Sequence, residues 1–181
     1  QLTLIEAWLA TLGFAGQIYF DFSGYSDIAI GLALLVGLKM PENFAAPYRA
    51  SSIIDFWRRW HITLSDFLRD YLYIPLGGSR HGAGRCGLAV MVTMLLGGLW
   101  HGAAWSFLVW GGLHGACLVA HRIYAARPKR ESKPRFGLAR RIVSIFLCFE
   151  FVTLAWIFFR SQTFTHAEQI LSGLFHLGPE P

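Results

Sequence analysis

Apolar positions in this chain come in long unbroken runs and not in alternation. Residues 2–20 (LTLIEAWLATLGFAGQIYF) carry one charge, Glu6, and residues 86–120 carry no Asp, Glu, Lys or Arg at all. About 20 predominantly apolar residues cross a bilayer as a helix, so 2–20 predicts a span. The stretch DFSGYSDIAIGLALLVGL (21–38) is apolar after Asp27 and predicts a second span or a continuation of the first, together about 2–38. Asp21 and Asp27, with Ser23, Gly24 and Ser26 between them, form a polar notch between the two apolar halves. Residues 86–120 would measure about 52 Å as one helix, against about 30 Å of hydrocarbon. That run must break, and its glycines at 97, 98, 102, 111, 112 and 115 put the join near GGLWHG (97–102). It therefore predicts two spans, or one span and a re-entrant piece. A last span, IVSIFLCFEFVTLAWIFF (142–159), has Glu150 at its centre.

Residues 53–73 follow a different pattern. PENFAAPYRA (41–50) reads as a loop from its two prolines, and Ser52 with Asp55 makes a helix start signal. At about 100° per residue, Ile53, Phe56, Trp57, Trp60, Leu64, Phe67, Leu68 and Tyr71 share one side, while Asp55, Arg58, Arg59, Asp66, Arg69 and Asp70 share the other. An amphipathic helix of this kind is expected to lie in the membrane interface, with His61 on its border. PLGGSRHGAGR (75–85) has the composition of a turn.

Composition agrees with a membrane protein: 54% of the 181 residues are hydrophobic and only 15% are charged, against about 25% charged in soluble domains. The net charge of +5 is local, because residues 122–141 hold eight of the 16 basic residues and one of the 11 acidic ones. By the positive-inside bias that loop is cytoplasmic, and without interleaved aromatics it does not suggest nucleic acid. Cys86, Cys117 and Cys148 are odd in number and far apart, which indicates neither a disulfide framework nor a zinc knuckle. No basic segment precedes the first apolar run at Gln1, so the chain reads as a piece of a longer protein and not as one opening on a signal peptide.

An ionisable residue inside the apolar runs is a functional candidate, because charge there is costly. Histidine can stay neutral at physiological pH and then keeps a free lone pair, which a general base for a hydroxyl requires. His101 in GGLWHG has that chemistry available, and a hydrogen-bonded structural histidine is the alternative. His101 and His114 each directly precede the second glycine of a GxxxG match, Gly98 to Gly102 and Gly111 to Gly115. A metal site built from His61, His101 and His114 lacks ligand spacing, and no GxSxG elbow is present. Glu150 is as readily a structural partner as a proton site, and the tryptophans read first as anchors or packing.

FWRRWHITLSDFLRDYLYIPLGG (56–78) followed by GGLWHGAAWSFLVWGGLHG (97–115) resembles the membrane-bound O-acyltransferase (MBOAT) family. YFDFSGYSDIAIGLALLVGLKMPENFAAPYRA upstream and FVTLAWIFFR downstream are similar to its bacterial, alginate O-acetyltransferase-like branch, which also includes D-alanyl transfer proteins of teichoic acids. The resemblance implies an all-α, polytopic bundle around a tunnel, a single membrane-embedded core over 1–181, in the bacterial inner membrane. It implies transfer of an acyl group, acetyl in the favoured reading, to a hydroxyl in exopolysaccharide O-acetylation. His101 would be the general base and His61 the second catalytic position. Trp100, Trp60, Ser65, Asp27 and His114 are the expected substrate-binding or tunnel-lining residues. No bound cofactor or metal is expected. The donor would be a thioester such as acetyl-CoA or an acylated carrier, and the partners membrane lipid and periplasmic acetyltransferases. D-alanyl or other acyl transfer to a cell-envelope polymer, and a non-catalytic scaffold or transport component, are the alternatives.

Overall fold

The computed structural model describes residues 2–80, 82–126, 137–161 and 163–176. Its helices are α1 (Leu4–Leu35), α2 (Ile53–Trp57), α3 (Ile62–Leu68), α4 (Gly82–His101), α5 (Trp105–Ala125), α6 (Gly137–Arg160) and α7 (Phe164–Gly173). A 3-10 turn (Pro47–Arg49) precedes α2 and a π-helical turn (Arg69–Tyr73) follows α3. Among the described residues there is no strand. Three of the described helices, α1, α4 and α6, are long and apolar enough to cross a membrane.

The segment 2–38 is one helix, not two. Its 32 residues span about 48 Å, longer than a hydrocarbon core. Glu6, the lone charge of the first run, belongs to a capping box: Glu6 N–H donates to Thr3 Oγ1 (3.4 Å) and Thr3 N–H to Glu6 Oε2 (3.0 Å). Both bonds satisfy orphan amides at the helix start. The helix stops where Gly37 takes a φ of +78° and Leu38 N–H donates back to the Ala33 carbonyl (2.9 Å).

The break expected in 86–120 falls directly after His101, where α4 ends and residues 102–104 lead into α5. The two helices pack along their glycines. A Cβ on Gly98 would run into the backbone carbonyl of Phe107, and one on Gly111 into that of Met94, so only glycine permits this approach. Of the two, α4 satisfies the length and apolarity of a span.

The continuous helix expected over 53–73 is not present. It is divided at 58–61, where His61 adopts a left-handed φ of 44°. The cause lies in the preceding loop: Ala45 N–H donates to the Arg59 carbonyl (3.0 Å) and Ile62 N–H to the Asn43 carbonyl (3.0 Å). These bonds withdraw backbone groups from the helical ladder. Ser52 does cap α2, accepting from Asp55 N–H (3.2 Å), while Asp55 pairs with Arg59 (2.8 Å). Phe67 and Tyr71, expected on the buried side, are exposed: the break at 58–61 separates Phe67 from the buried face of α2, and the π-helical turn changes the register again at Tyr71. Of the basic loop expected at 122–141, residues 127–136 lie outside the described residues, while 122–125 continue α5 and 137–141 begin α6.

An aromatic core joins the elements. Trp110 of α5 stacks on Trp156 of α6 (centroids 5.6 Å apart), Trp156 meets Trp60 (5.0 Å), and Phe56 stacks on Trp60 (5.6 Å). Ala15 of α1 and Val152 of α6 complete it. Tyr48 ties the loop to α1 by donating its O–H to the Ala15 carbonyl (2.6 Å). The segment 53–60 is thus held by its buried Ile53, Phe56 and Trp60, not by an interfacial face alone.

Candidate functional site

Ending α4 at His101 places its ring at the mouth of the aromatic core. It contacts Trp100 (4.9 Å), Phe159 (5.0 Å), Trp110 (5.5 Å) and Phe107 (6.3 Å), all measured between ring centroids. His61 approaches from the turn between α2 and α3, edge-on to Phe22 of α1 (4.6 Å) and 6.5 Å from Trp100. The two histidines, 40 positions apart, line one cleft of about 570 Å³ with Phe14, Gln17, Ile18, Asp21, Phe22, Trp100 and Phe159. Both also line a small inner chamber of about 40 Å³ bounded by Trp57, Trp60, Leu64, Trp110 and Trp156.

The protonation of His61 can be read from its neighbours. Thr63 N–H donates to Asn43 Oδ1 (3.3 Å) and Asn43 Nδ2 donates to Ser26 Oγ (3.3 Å), which fixes the amide orientation. The carboxamide oxygen therefore faces His61 Nδ1 at 3.1 Å, and an oxygen there can only accept. His61 carries its hydrogen on Nδ1, and its lone pair is on Nε2. Burial, with the neighbouring His101 as a smaller cause, pushes the His61 pKa down to about 4. Its resting ring is neutral.

The expected residues fall into separate places. His101, His61 and Trp100 meet in the cleft, and Trp60 borders the inner chamber. Ser65 lies on the far side of Trp57, lining another cavity of about 360 Å³, and donates to the Trp60 carbonyl (3.1 Å). His114 is fully buried behind the cleft and lines neither space. Its Nδ1 accepts from Trp57 Nε1–H (3.2 Å), so its own hydrogen is on Nε2, which has no partner among the described residues. Asp27 is exposed on α1, and Asp21, the other acid of the notch, is the one in the cleft. Among the described residues no three His, Cys, Asp or Glu side chains are grouped to hold a metal ion.

Sequence reasoning missed Asn43, Ser26 as its anchor, and Phe159. Asn43 sits in PENF with no local signal, and its partners are 17 and 18 positions away. Phe159 is one of many aromatics in an apolar run, so only packing distinguishes it.

Two residues that touch both a cleft and a hydroxyl-sized space, a neutral histidine with a free Nε2 and a second histidine among aromatics, suit acyl chemistry on a hydroxyl. Comparisons with known proteins give the family. The family model of MBOAT, the membrane-bound O-acyltransferase family, matches residues 1–136. The chain is 46% identical over 177 residues to a peptidoglycan O-acetyltransferase of Helicobacter pylori, covering 98% of this chain and 33% of that protein. It is 45% identical over 173 residues to a probable alginate O-acetylase of Azotobacter vinelandii, covering 96% and 33%. A teichoic acid D-alanyltransferase of Bacillus subtilis is 27% identical over 161 residues, covering 85% and 41%. The chain thus spans about a third of the length of the curated O-acetylating relatives it matches. With its two histidine segments both inside the matched residues, the chain belongs to the membrane-bound O-acyltransferase family.

Proposed function

We propose that this chain carries the histidine cleft of an acyltransferase that moves an acyl group, acetyl in our reading, onto a hydroxyl of a cell-envelope polysaccharide or of a carrier that serves one. The observation that carries the reading is the convergence of His101 and His61 on one cleft from elements 40 residues apart. His101 takes the proton of the acceptor hydroxyl as the oxygen attacks the acyl carbonyl of the thioester; the C–S bond breaks as the ester forms, and His101 returns the proton to the departing thiolate, which leaves as the thiol. His61, with its lone pair on Nε2, accepts a hydrogen bond from a second hydroxyl of the acceptor sugar and so orients the one that reacts. The aromatic walls exclude water, which would otherwise compete as the acceptor. The names of the relatives support O-acetylation over D-alanyl transfer, since identity to the O-acetylating proteins is 43–46% against 27–30%.

The donor in this reading is a thioester such as acetyl-CoA or an acylated carrier. The cavity of about 360 Å³ beside Ser65 has Ile54, Met94 and Leu118 in its walls and Arg58 and Arg122 at its edge. Arg122 donates to Tyr73 Oη (2.6 Å) and Cys86 Sγ (2.6 Å), and among the described residues no carboxylate lies within salt-bridge distance of it. Arg69 is already held by Asp66 and Asp70. An apolar space edged by Arg58 and Arg122 suits the arm and phosphate of such a thioester carrier. We place the protein in the bacterial inner membrane with periplasmic acetyltransferases as partners.

The test is the ester-linked acetate of the envelope polysaccharide from cells expressing the full-length protein, wild type against His101→Gln, at matched membrane abundance. Loss of a general base lowers turnover about 10²–10⁴-fold, so the acetate should nearly vanish. Unchanged acetate would remove His101 from the chemistry and favour a scaffold.

A further inference from the structure

We propose that Asn43 is a positioning residue for the reaction: its carboxamide oxygen holds His61 as the Nδ1–H tautomer and so keeps Nε2 available to accept from a hydroxyl of the acceptor sugar beside the one that reacts. The proposal deepens the acyltransferase reading and rests on it for its catalytic consequence.

Four observations carry it. Asn43 Oδ1 lies 3.1 Å from His61 Nδ1, and the other group near that nitrogen, Thr63 Oγ1 at 3.5 Å, gives its hydrogen to Asn43 Oδ1 at 3.0 Å. The amide cannot turn over to offer its NH2 instead, because Thr63 N–H and Thr63 Oγ1 donate to the same oxygen (3.3 and 3.0 Å) and Ser26 Oγ accepts from its nitrogen (3.3 Å). Ser26 is itself buried in α1, so the anchor is fixed by the first membrane helix. Finally, His61 has a left-handed backbone with φ 44°, ψ 56°, which is unfavourable for a residue with a Cβ. Such strain persists where surrounding structure over-determines it, as the Asn43 carbonyl does here by accepting from Ile62 N–H (3.0 Å). One loop residue thereby shapes the turn that presents His61, caps α3 through Thr63, and sets which ring nitrogen carries the hydrogen.

This arrangement follows the logic by which a second group fixes the tautomer and orientation of a working histidine. A neutral amide fills that role here. It directs the tautomer without adding charge, so it leaves the imidazole weakly basic: suited to orienting a hydroxyl, unlike a carboxylate partner, which would favour imidazolium. Asp21 of α1 and His101 of α4 are the titratable groups that line the same cleft. The face of α6 toward it is Phe159, which is uncharged.

The experiment uses full-length protein in lipid nanodiscs with 15N-labelled histidine, the His61 signals being assigned by their loss in His61→Asn. In wild type, the spectrum should show Nδ1 protonated and Nε2 bare at neutral pH. Asn43→Ala should give a mixture of tautomers. Asn43→Asp, which keeps the acceptor and the cap on Thr63, should retain the Nδ1–H tautomer and move the His61 titration midpoint up by about one pH unit or more. Ester-linked acetate in cells should fall about 10-fold or more for Asn43→Ala at matched abundance. A wild-type Nε2–H tautomer, or a tautomer and midpoint unchanged in both variants, overturns the proposal. So does full acetate in Asn43→Ala when His101→Gln has lost it. Full acetate in His101→Gln as well overturns the acyltransferase reading instead, and the tautomer measurement then decides the role of Asn43 alone.

Discussion

Replacing Gly111 by alanine tests whether the α4–α5 contact holds the cleft in shape. The new Cβ would press on the Met94 carbonyl oxygen, with Met94 C at 3.1 Å and Leu95 Cα at 3.4 Å. All three are backbone atoms of α4, so no side chain can swing away, and the helices must separate. Overpacking of this kind costs about 1–3 kcal/mol, while glycine to alanine inside a helix returns up to about 1 kcal/mol. With the full gain subtracted, the net expectation is a loss of about 0–2 kcal/mol. Gly112→Ala is the matched control: its Cβ meets only Leu95 Cδ2, at 3.6 Å, an ordinary contact. That variant should be neutral or slightly stabilised. Met94 lies about two turns before His101 on α4, so separation displaces the ring too. A misplacement of about 1 Å can lower turnover about 10²-fold. Thermal unfolding of the purified full-length protein in nanodiscs measures the first effect and ester-linked acetate the second. If Gly111→Ala unfolds at or above the temperature of Gly112→Ala, the close approach is not what fixes these helices, and the reasoning fails.

Trp57→Phe removes the indole N–H that His114 Nδ1 accepts from, leaving a buried ring with neither nitrogen paired among the described residues. It should destabilise by about 1–3 kcal/mol in the same unfolding assay, and an unchanged transition would show that the bond contributes nothing. Tyr48→Phe loses the hydroxyl bonded to the Ala15 carbonyl and should cost about 1 kcal/mol. A larger loss with reduced acetate would mean that the loop moves with it. Because the folded pKa of His61 is lowered to about 4 from 6.5, the unfolded chain binds more protons between those values. The contribution of His61 to stability therefore falls as pH drops through about 6.5 toward 4 and is level above that window. The midpoint difference between wild type and His61→Asn, a residue that tolerates the left-handed backbone, should shrink as the pH is lowered from 7 to 4. A difference constant with pH would contradict it.

The long apolar helices were legible because apolarity sustained over about 20 residues is local information. The runs 2–38, 86–120 and 142–159 therefore appear as α1, the α4–α5 pair and α6, and the glycines of GGLWHG marked where the second run had to break. The pairing of His61 with His101 came from the resemblance of their two segments to a family, since nothing in hydropathy connects positions 40 apart. The sequence failed at 53–73, where helical periodicity is present but the chain turns at His61. The bonds that turn it come from Asn43 and Ala45, outside the segment whose pattern was being read. Asn43 itself was invisible for the same reason. Its meaning depends on Ser26, His61 and Thr63 arriving from three other stretches of chain, and a polar residue in a loop has no periodicity to announce such partners. Which acid of the notch enters the cleft, Asp21 and not Asp27, and which histidine is sealed in the core, His114 and not His101, likewise depended on how the helices rotate against one another. Those rotations are set by close contacts such as Gly98 on Phe107 and Gly111 on Met94, which exist only once both helices are in place.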